Sequence, residues 1–269
     1  MSSAKEGHDM FVDVPGGRLA YDSAGEGPLV VCLPGLGDTR EAYRRLRPLL
    51  VEAGYRVVTM DLRGHGESSA GWDDYSQAAV GRDVVALLEV LDAPGAVLLG
   101  NSYSGGAVVR AATDAPERVA GIVPIDGFIR AIPLNAALRA LVRLIAASPR
   151  LWSLYYKMAH PTAKPADLAA HRAKLVAMLR DRERHEAMRA MLLNRAPDAE
   201  QVLSEVRCPA LVLMGAKDPD FPDPAAEART QASLLRGQAV VIDGAGHYPM
   251  SDHPERTAEA LLPFLKNVF

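Results

Sequence analysis

The sequence predicts an α/β fold, a mostly parallel sheet with helices packed on both faces. Three observations carry that prediction: short continuous apolar runs suited to buried strands, amphipathic helical segments alternating with them, and one long interval where the alternation stops. A chain of 269 residues, 49% hydrophobic and 23% charged, can bury the core such a fold needs.

Met10 to Val14 and Arg18 to Asp22, separated by Pro15-Gly16-Gly17, read as an antiparallel hairpin. Buried-strand candidates follow at Leu29 to Leu33, Tyr55 to Met60, Ala96 to Leu99, Val119 to Ile125, Ala210 to Met214 and Ala239 to Ile242. Among the intervening helical patterns, Thr39 to Ala53 carries Asp38 three residues before Glu41 as a capping signal. Ser76 to Leu91 sets Val80, Val84, Leu87, Leu88 and Leu91 on one face. Helices over Tyr103 to Ala115, Pro224 to Leu235 and Pro254 to Val268 complete the alternation, and right-handed crossovers then make the sheet mostly parallel. From 127 to 207 no strand is expected over about 80 residues, whereas a crossover needs only about a dozen. That interval holds helical patterns at Leu134 to Ala147, Arg150 to Ala159 and Pro165 to Asn194, punctuated by Pro133, Pro149, Pro161, Pro165 and Pro197. The expected organisation is a core of 1–126 and 208–269 carrying a helical cap of 127–207.

The 30 Lys and Arg against 33 Asp and Glu leave a net charge of −3, which gives no electrostatic drive toward nucleic acid or an anionic membrane. Met1 to Asp13 has no apolar leader segment, and Ala93 to Val109 is too short and too broken by Gly, Pro and Ser to span a bilayer, so the cytoplasm is the expected compartment. Cys32 and Cys208 suit free thiols in a reducing environment.

The chemistry centres on Gly100-Asn101-Ser102-Tyr103-Ser104-Gly105-Gly106, where a strand turns sharply into a helix with Ser102 at the apex. A serine hydroxyl needs a general base and a group to orient that base. His247, in Gly244-Ala245-Gly246-His247-Tyr248-Pro249 after a strand, is the best base, with His65 in a loop that could point into the same region. The remaining histidines (His8, His160, His171, His185 and His253) read as solvated or packed. Asp218 follows a strand and precedes His247 by one helix and one strand; Asp126, ending another strand, is the main rival, ahead of Asp220 and Asp223. Backbone donors for a developing oxyanion are expected from the Tyr103 N–H at the helix start and the Leu36 N–H in Leu33-Pro34-Gly35-Leu36-Gly37.

With these motifs in order, the chain resembles the α/β-hydrolase family over nearly its whole length, from Pro34-Gly35-Leu36-Gly37 through Asp61-Leu62-Arg63-Gly64-His65-Gly66 to the turn at Ser102, Asp218 and His247. The resemblance implies an eight-stranded, mostly parallel sheet with a variable cap after the sixth strand. Two departures stand out. Pro34 occupies a position where many members have His, and Ser104 stands where the second Gly of G-x-S-x-G is usual.

Ser rather than Asp at position 102 argues against the epoxide-hydrolase and haloalkane-dehalogenase branches. Asn101 resembles the C–C hydrolases that read G-N-S, although those carry Trp after the catalytic His and this chain has Tyr248. In the cap, Trp152, Leu154, Tyr155, Tyr156, Met158, Met178, Met188, Met191 and Leu192 suit either a lid over a hydrophobic substrate group or ordinary packing of amphipathic helices. Arg180 to Glu186 reads as a solvated face. No metal spacing or dinucleotide fingerprint occurs, so no cofactor is expected, and the Ser2-Ser3-Ala4-Lys5 match to S-x-x-K lies in a polar tail where chance explains it. The expectation is a cofactor-independent hydrolase of a carboxylic ester, lactone or thioester, acting on a small molecule with a hydrophobic group. A C–C hydrolase of a diketone-like substrate and a non-catalytic receptor are the alternatives.

Overall fold

The computed structural model describes residues 10–93, 95–193 and 198–269. His8, the Ser2 to Lys5 string, Pro94, Asn194 and Pro197 lie outside the described residues. Eight strands form one sheet: β1 (Met10–Val14), β2 (Gly17–Ala24), β3 (Leu29–Leu33), β4 (Arg56–Met60), β5 (Ala96–Asn101), β6 (Val119–Ile125), β7 (Leu211–Gly215) and β8 (Gln238–Ile242). Their spatial order is β1-β2-β4-β3-β5-β6-β7-β8. The β1–β2 and β2–β4 pairs are antiparallel and the rest parallel, as the apolar runs and crossovers predict.

Helices α1 (Leu46–Glu52), α2 (Gln77–Leu91), α3 (Ser104–Asp114), α8 (Pro224–Leu234), the short α9 (Pro249–Asp252) and α10 (Pro254–Val268) cover the sheet. Helices α4 (Ala136–Ala146), α5 (Pro149–Met158), α6 (Leu168–Met178) and α7 (Arg182–Leu193) form the insert between β6 and β7, followed by a 3₁₀ segment at Asp198–Glu205. Side chains alternate across the sheet with period two. Val31, Leu33 and Leu98 therefore pack with Val80, Leu87 and Ala107 on one face, while Val30, Cys32 and Leu99 pack with Leu46 and Leu261 on the other.

Three expectations about elements change. The Thr39 to Ala53 helix is a 3₁₀ turn at Arg40–Tyr43 followed by α1, and Asp38 does not cap it, because its carboxylate is turned inward onto the insert. The Pro165 to Asn194 pattern is two helices, since Asp181 Oδ1 accepts the Arg184 N–H at 3.0 Å and starts α7 anew. The last strand, expected to be buried, is an edge strand with exposed side chains, because only β7 pairs with it.

Candidate active site

Parallel strands bring their carboxyl ends to one edge, and the loops leaving β3, β5, β6, β7 and β8 carry Leu36, Ser102, Asp126, Asp218 and His247. Ser102 sits at φ +55° between β5 and α3, a left-handed conformation that a non-glycine residue adopts at a cost of roughly 1–3 kcal/mol. The turn is tied down on both sides. The Ser102 N–H donates to Ile125 O at 2.9 Å, and Ser102 O accepts from Phe128 N at 2.9 Å and Gly105 N at 3.0 Å.

Asn101 binds this turn to the His247 loop: its Nδ2 donates to Ile125 O at 3.1 Å and to His247 O at 3.0 Å. The imidazole of His247 lies 6.1 Å, centroid to centroid, from the Phe128 ring, whose backbone holds Ser102. His247 Nδ1 is 2.7 Å from Asp218 Oδ2, and Asp220 Oδ2 lies 3.8 Å from Nε2. Burial alone would lower the imidazole pKa, but the Asp218 and Asp220 carboxylates outweigh it and raise His247 to about 9.

Of the two candidate acids, Asp218 is the one hydrogen-bonded to His247. Asp126 Oδ1 accepts the Gly215 N–H at 2.8 Å, while its Oδ2 is buried without a conventional donor. Burial, and then the neighbouring Asp218 charge, push Asp126 well above the carboxylate range, toward its protonated form. Ligand atoms of Asp126, Asp218 and His247 lie within 4.8 Å of one another. Two ligands of a tetrahedral zinc stand about 3.3 Å apart at ordinary bond lengths. The 2.7 Å separation of His247 from Asp218 therefore suits a shared proton and does not fit that metal.

The loop after β3 presses against Ser102. A Cβ on Gly35 would stand 3.0 Å from Ser102 Cβ and 3.1 Å from Asn101 Oδ1, so only glycine fits comfortably there. Neither the Leu36 nor the Tyr103 backbone N–H is engaged by an acceptor among the described residues, and both residues line the adjoining cavity. The two departures from the usual motif meet directly: Ser104 Oγ donates to Pro34 O at 2.5 Å, joining the first turn of α3 to this loop.

The rest of the loop is held by residues that composition and spacing did not single out for this role. His65 is buried and serves the loop rather than competing with His247: its Nε2 accepts the Gly37 N–H at 2.9 Å and its Nδ1 faces Arg63 O at 3.0 Å. Burial lowers it to about 4, so it stays neutral. From the insert, Trp152 Nε1 donates to Gly37 O at 3.1 Å. Buried Asp38 accepts from Tyr156 Oη at 2.7 Å and pairs with His171 Nε2 at 2.8 Å. His171, expected to be solvated or merely packed, is raised to about 9, because Asp38 and Glu41 overcome the effect of burial.

Between this edge and the insert lies a cavity of about 430 Å³. Leu36, Tyr103, Phe128, Trp152, Met191 and Leu192 give it a mainly apolar wall, with Ser102 and Asp220 among its few polar groups. Tyr155 Oη donates to Asp220 at 2.6 Å. Of the insert residues that suited either a lid or packing, Trp152, Leu154, Tyr155, Met158, Met191 and Leu192 line the cavity, while Tyr156 and Met188 are packed.

Residues 30–260 match the alpha/beta hydrolase family. The chain belongs to that family. This hydrolase is 30% identical to a dihydrolipoyllysine-residue acetyltransferase component of an acetoin cleaving system from Pseudomonas putida, over 93% of this chain and 68% of that protein. Its fold is similar to a bromoperoxidase from Bacillus anthracis, with a TM-score of 0.81 and 22% identity, covering 96% of this chain and 100% of that one. A thermophilic esterase from Thermogutta terrifontis gives a TM-score of 0.76 and 25% identity, covering 97% and 99%. The eight-stranded hydrolase sheet expected from the resemblance is therefore present, and the protein is a hydrolase by family.

Proposed function

We propose that this hydrolase cleaves a carboxylic ester, lactone or thioester through an acyl-enzyme on Ser102, with Asp218 and His247 completing the triad. The observation that carries the reading is the left-handed turn at Ser102, bound through Asn101 to a loop whose histidine is already oriented by a buried carboxylate. Ser102 Oγ attacks the carbonyl carbon as His247 Nε2 takes its proton. The N–H groups of Leu36 and Tyr103 then receive the oxyanion. Collapse expels the alkoxide or thiolate, which takes the proton back from His247, and a water activated by the same imidazole releases the acid. Asp218 holds the tautomer with hydrogen on Nδ1 and stabilises the imidazolium. The apolar cavity beside Ser102 supports a substrate with a hydrophobic group, and the segment 127–207 acts as the cap over it.

The test is hydrolysis of p-nitrophenyl esters of increasing chain length together with labelling by a fluorophosphonate. Ser102→Ala should abolish labelling, and Ser102→Ala or His247→Ala should each lower kcat by about 10⁴-fold or more. Normal turnover in either variant overturns the mechanism. Turnover of a diketone with none of any ester would favour C–C cleavage, and binding without turnover of either would favour a receptor.

A further inference from the structure

The cavity opens through a part of the insert that is apolar and unusually exposed. Leu138, Leu141 and Leu144 of α4 and Leu154 and Met158 of α5 all line it, yet they are 41–64% exposed, so they form the rim of its mouth. Ala146 is the one buried residue of α4. Scattered exposed leucines need no explanation, but four of them with Met158 around one opening do.

Charge is segregated in the same place. From 127 to 166 the sequence contains Arg130, Arg139, Arg143, Arg150, Lys157 and Lys164 and no Asp or Glu, in a chain whose net charge is −3. Arg139, Arg143, Arg150 and Lys157 are exposed and make no ion pair among the described residues. At 100° per residue, Arg150 and Lys157 lie beside Leu154 and Met158 on one side of them along α5, roughly 40–100° away, whereas Arg139 and Arg143 sit on the far side of α4 from its leucine stripe, roughly 160° from Leu141. Whole-chain balance pointed away from an anionic membrane because acids elsewhere mask this local excess.

We propose that the α4–α5 face docks on an anionic phospholipid surface, its rim leucines and Met158 entering the acyl layer while Arg150 and Lys157 beside them contact headgroup phosphates. An apolar helical face bordered by cations is the composition that lies in a bilayer interface. A second copy of this chain is disfavoured as the occupant, because the same cations would face each other. Docking places the cavity mouth against the layer, so the hydrolysable group would be that of an amphiphile drawn from it. Only this last step rests on the ester-hydrolase reading.

Binding is therefore measured on the Ser102→Ala protein, by co-sedimentation with vesicles of phosphatidylcholine alone or with roughly 30% phosphatidylglycerol. The expected result is binding to the anionic vesicles that falls about tenfold or more in Arg150→Glu/Lys157→Glu and in about 0.5 M salt. Binding should also be lost in Leu141→Asp/Leu144→Asp, whose thermal unfolding midpoint should match the parent because both sites are exposed. Hydrolysis of a short soluble ester by the Arg150→Glu/Lys157→Glu enzyme with Ser102 intact should be unchanged. No sedimentation with anionic vesicles overturns the proposal, as does binding insensitive to the leucine substitutions. A concentration-dependent dimer that Leu141→Asp/Leu144→Asp abolishes also overturns it.

Discussion

At the scale of single residues, two buried carboxyl groups near one imidazole are separated by their surroundings. Asp218 is hydrogen-bonded to His247, while burial shifts Asp126 toward its protonated form, so an amide mimics Asp126 better than it mimics Asp218. Asp218→Asn should lower kcat by about 10⁴-fold through loss of the correct tautomer, whereas Asp126→Asn should lower it less than about tenfold. Steady-state kinetics of the two variants on one ester decide it. The second consequence concerns pH. In the proposed mechanism His247 must be neutral to accept the serine proton, and it is faced by Asp218 and Asp220 from the loop after β7, by Asp252 of α9 and by the neutral ring of Phe128. With its pKa raised to about 9, the acid limb of kcat/KM should lie well above the ordinary histidine value of about 6.5. Asp220→Asn removes one negative charge facing Nε2, so that limb should move to lower pH. A limb that stays in place shows that Asp220 does not act on the imidazole.

At the scale of elements, the insert is fastened to the core through Asp38, which ties α5 and α6 to the loop beside Ser102. Breaking a buried ion pair from one side typically costs about 3–5 kcal/mol, since the remaining charge is stranded. Asp38→Ala should therefore destabilise the protein by about that amount in urea unfolding at pH 7. The sign of the pH effect follows from His171. Its folded value of about 9 exceeds the ordinary 6.5, so its contribution is full below about 6.5 and drains away as pH rises through 9. Stability should then fall more steeply between pH 7 and pH 10 in the parent protein than in His171→Gln. Here the limits of local sequence patterns are plain. The strands at Leu29 to Leu33 and Val119 to Ile125 were legible because burial on both faces writes a continuous apolar run. The turn at Ser102 was legible because its glycines and its strand-to-helix context are contiguous. Asp38 looked like a helix cap because the residues that claim it, Tyr156 and His171, lie 118 and 133 positions away. The exposed edge of β8 was equally hidden, since an apolar run does not say which strand ends the sheet.

At the scale of the whole molecule, the same loop is shared by two bodies. Residues 34–38 leave the sheet, yet they are gripped by Ser104 and His65 from the core and by Trp152, Tyr156 and His171 from the insert. A Cβ on Gly37 would fall 2.5 Å from the Trp152 ring, so the contact leaves no slack. An insert docked this closely on the loop that offers the Leu36 N–H should not come away while the core stays folded. The chain supplies its own reporters, because it has two tryptophans. Trp72 packs beside Gly16 and under the Arg63 guanidinium in the core, and Trp152 lies in the insert. Fluorescence of Trp72→Phe reports unfolding around Trp152, and that of Trp152→Phe reports it around Trp72. Each should follow circular dichroism of the same variant through one urea transition, which is the signature of a single cooperative unit. Because Trp152→Phe also deletes the donor to Gly37 O, it should lower kcat by roughly tenfold if the proposed oxyanion site uses this loop, the order of an impaired site rather than a lost one. An insert transition preceding the core in Trp72→Phe would mean that the insert and core are separable, and that the grip on residues 34–38 does not couple them.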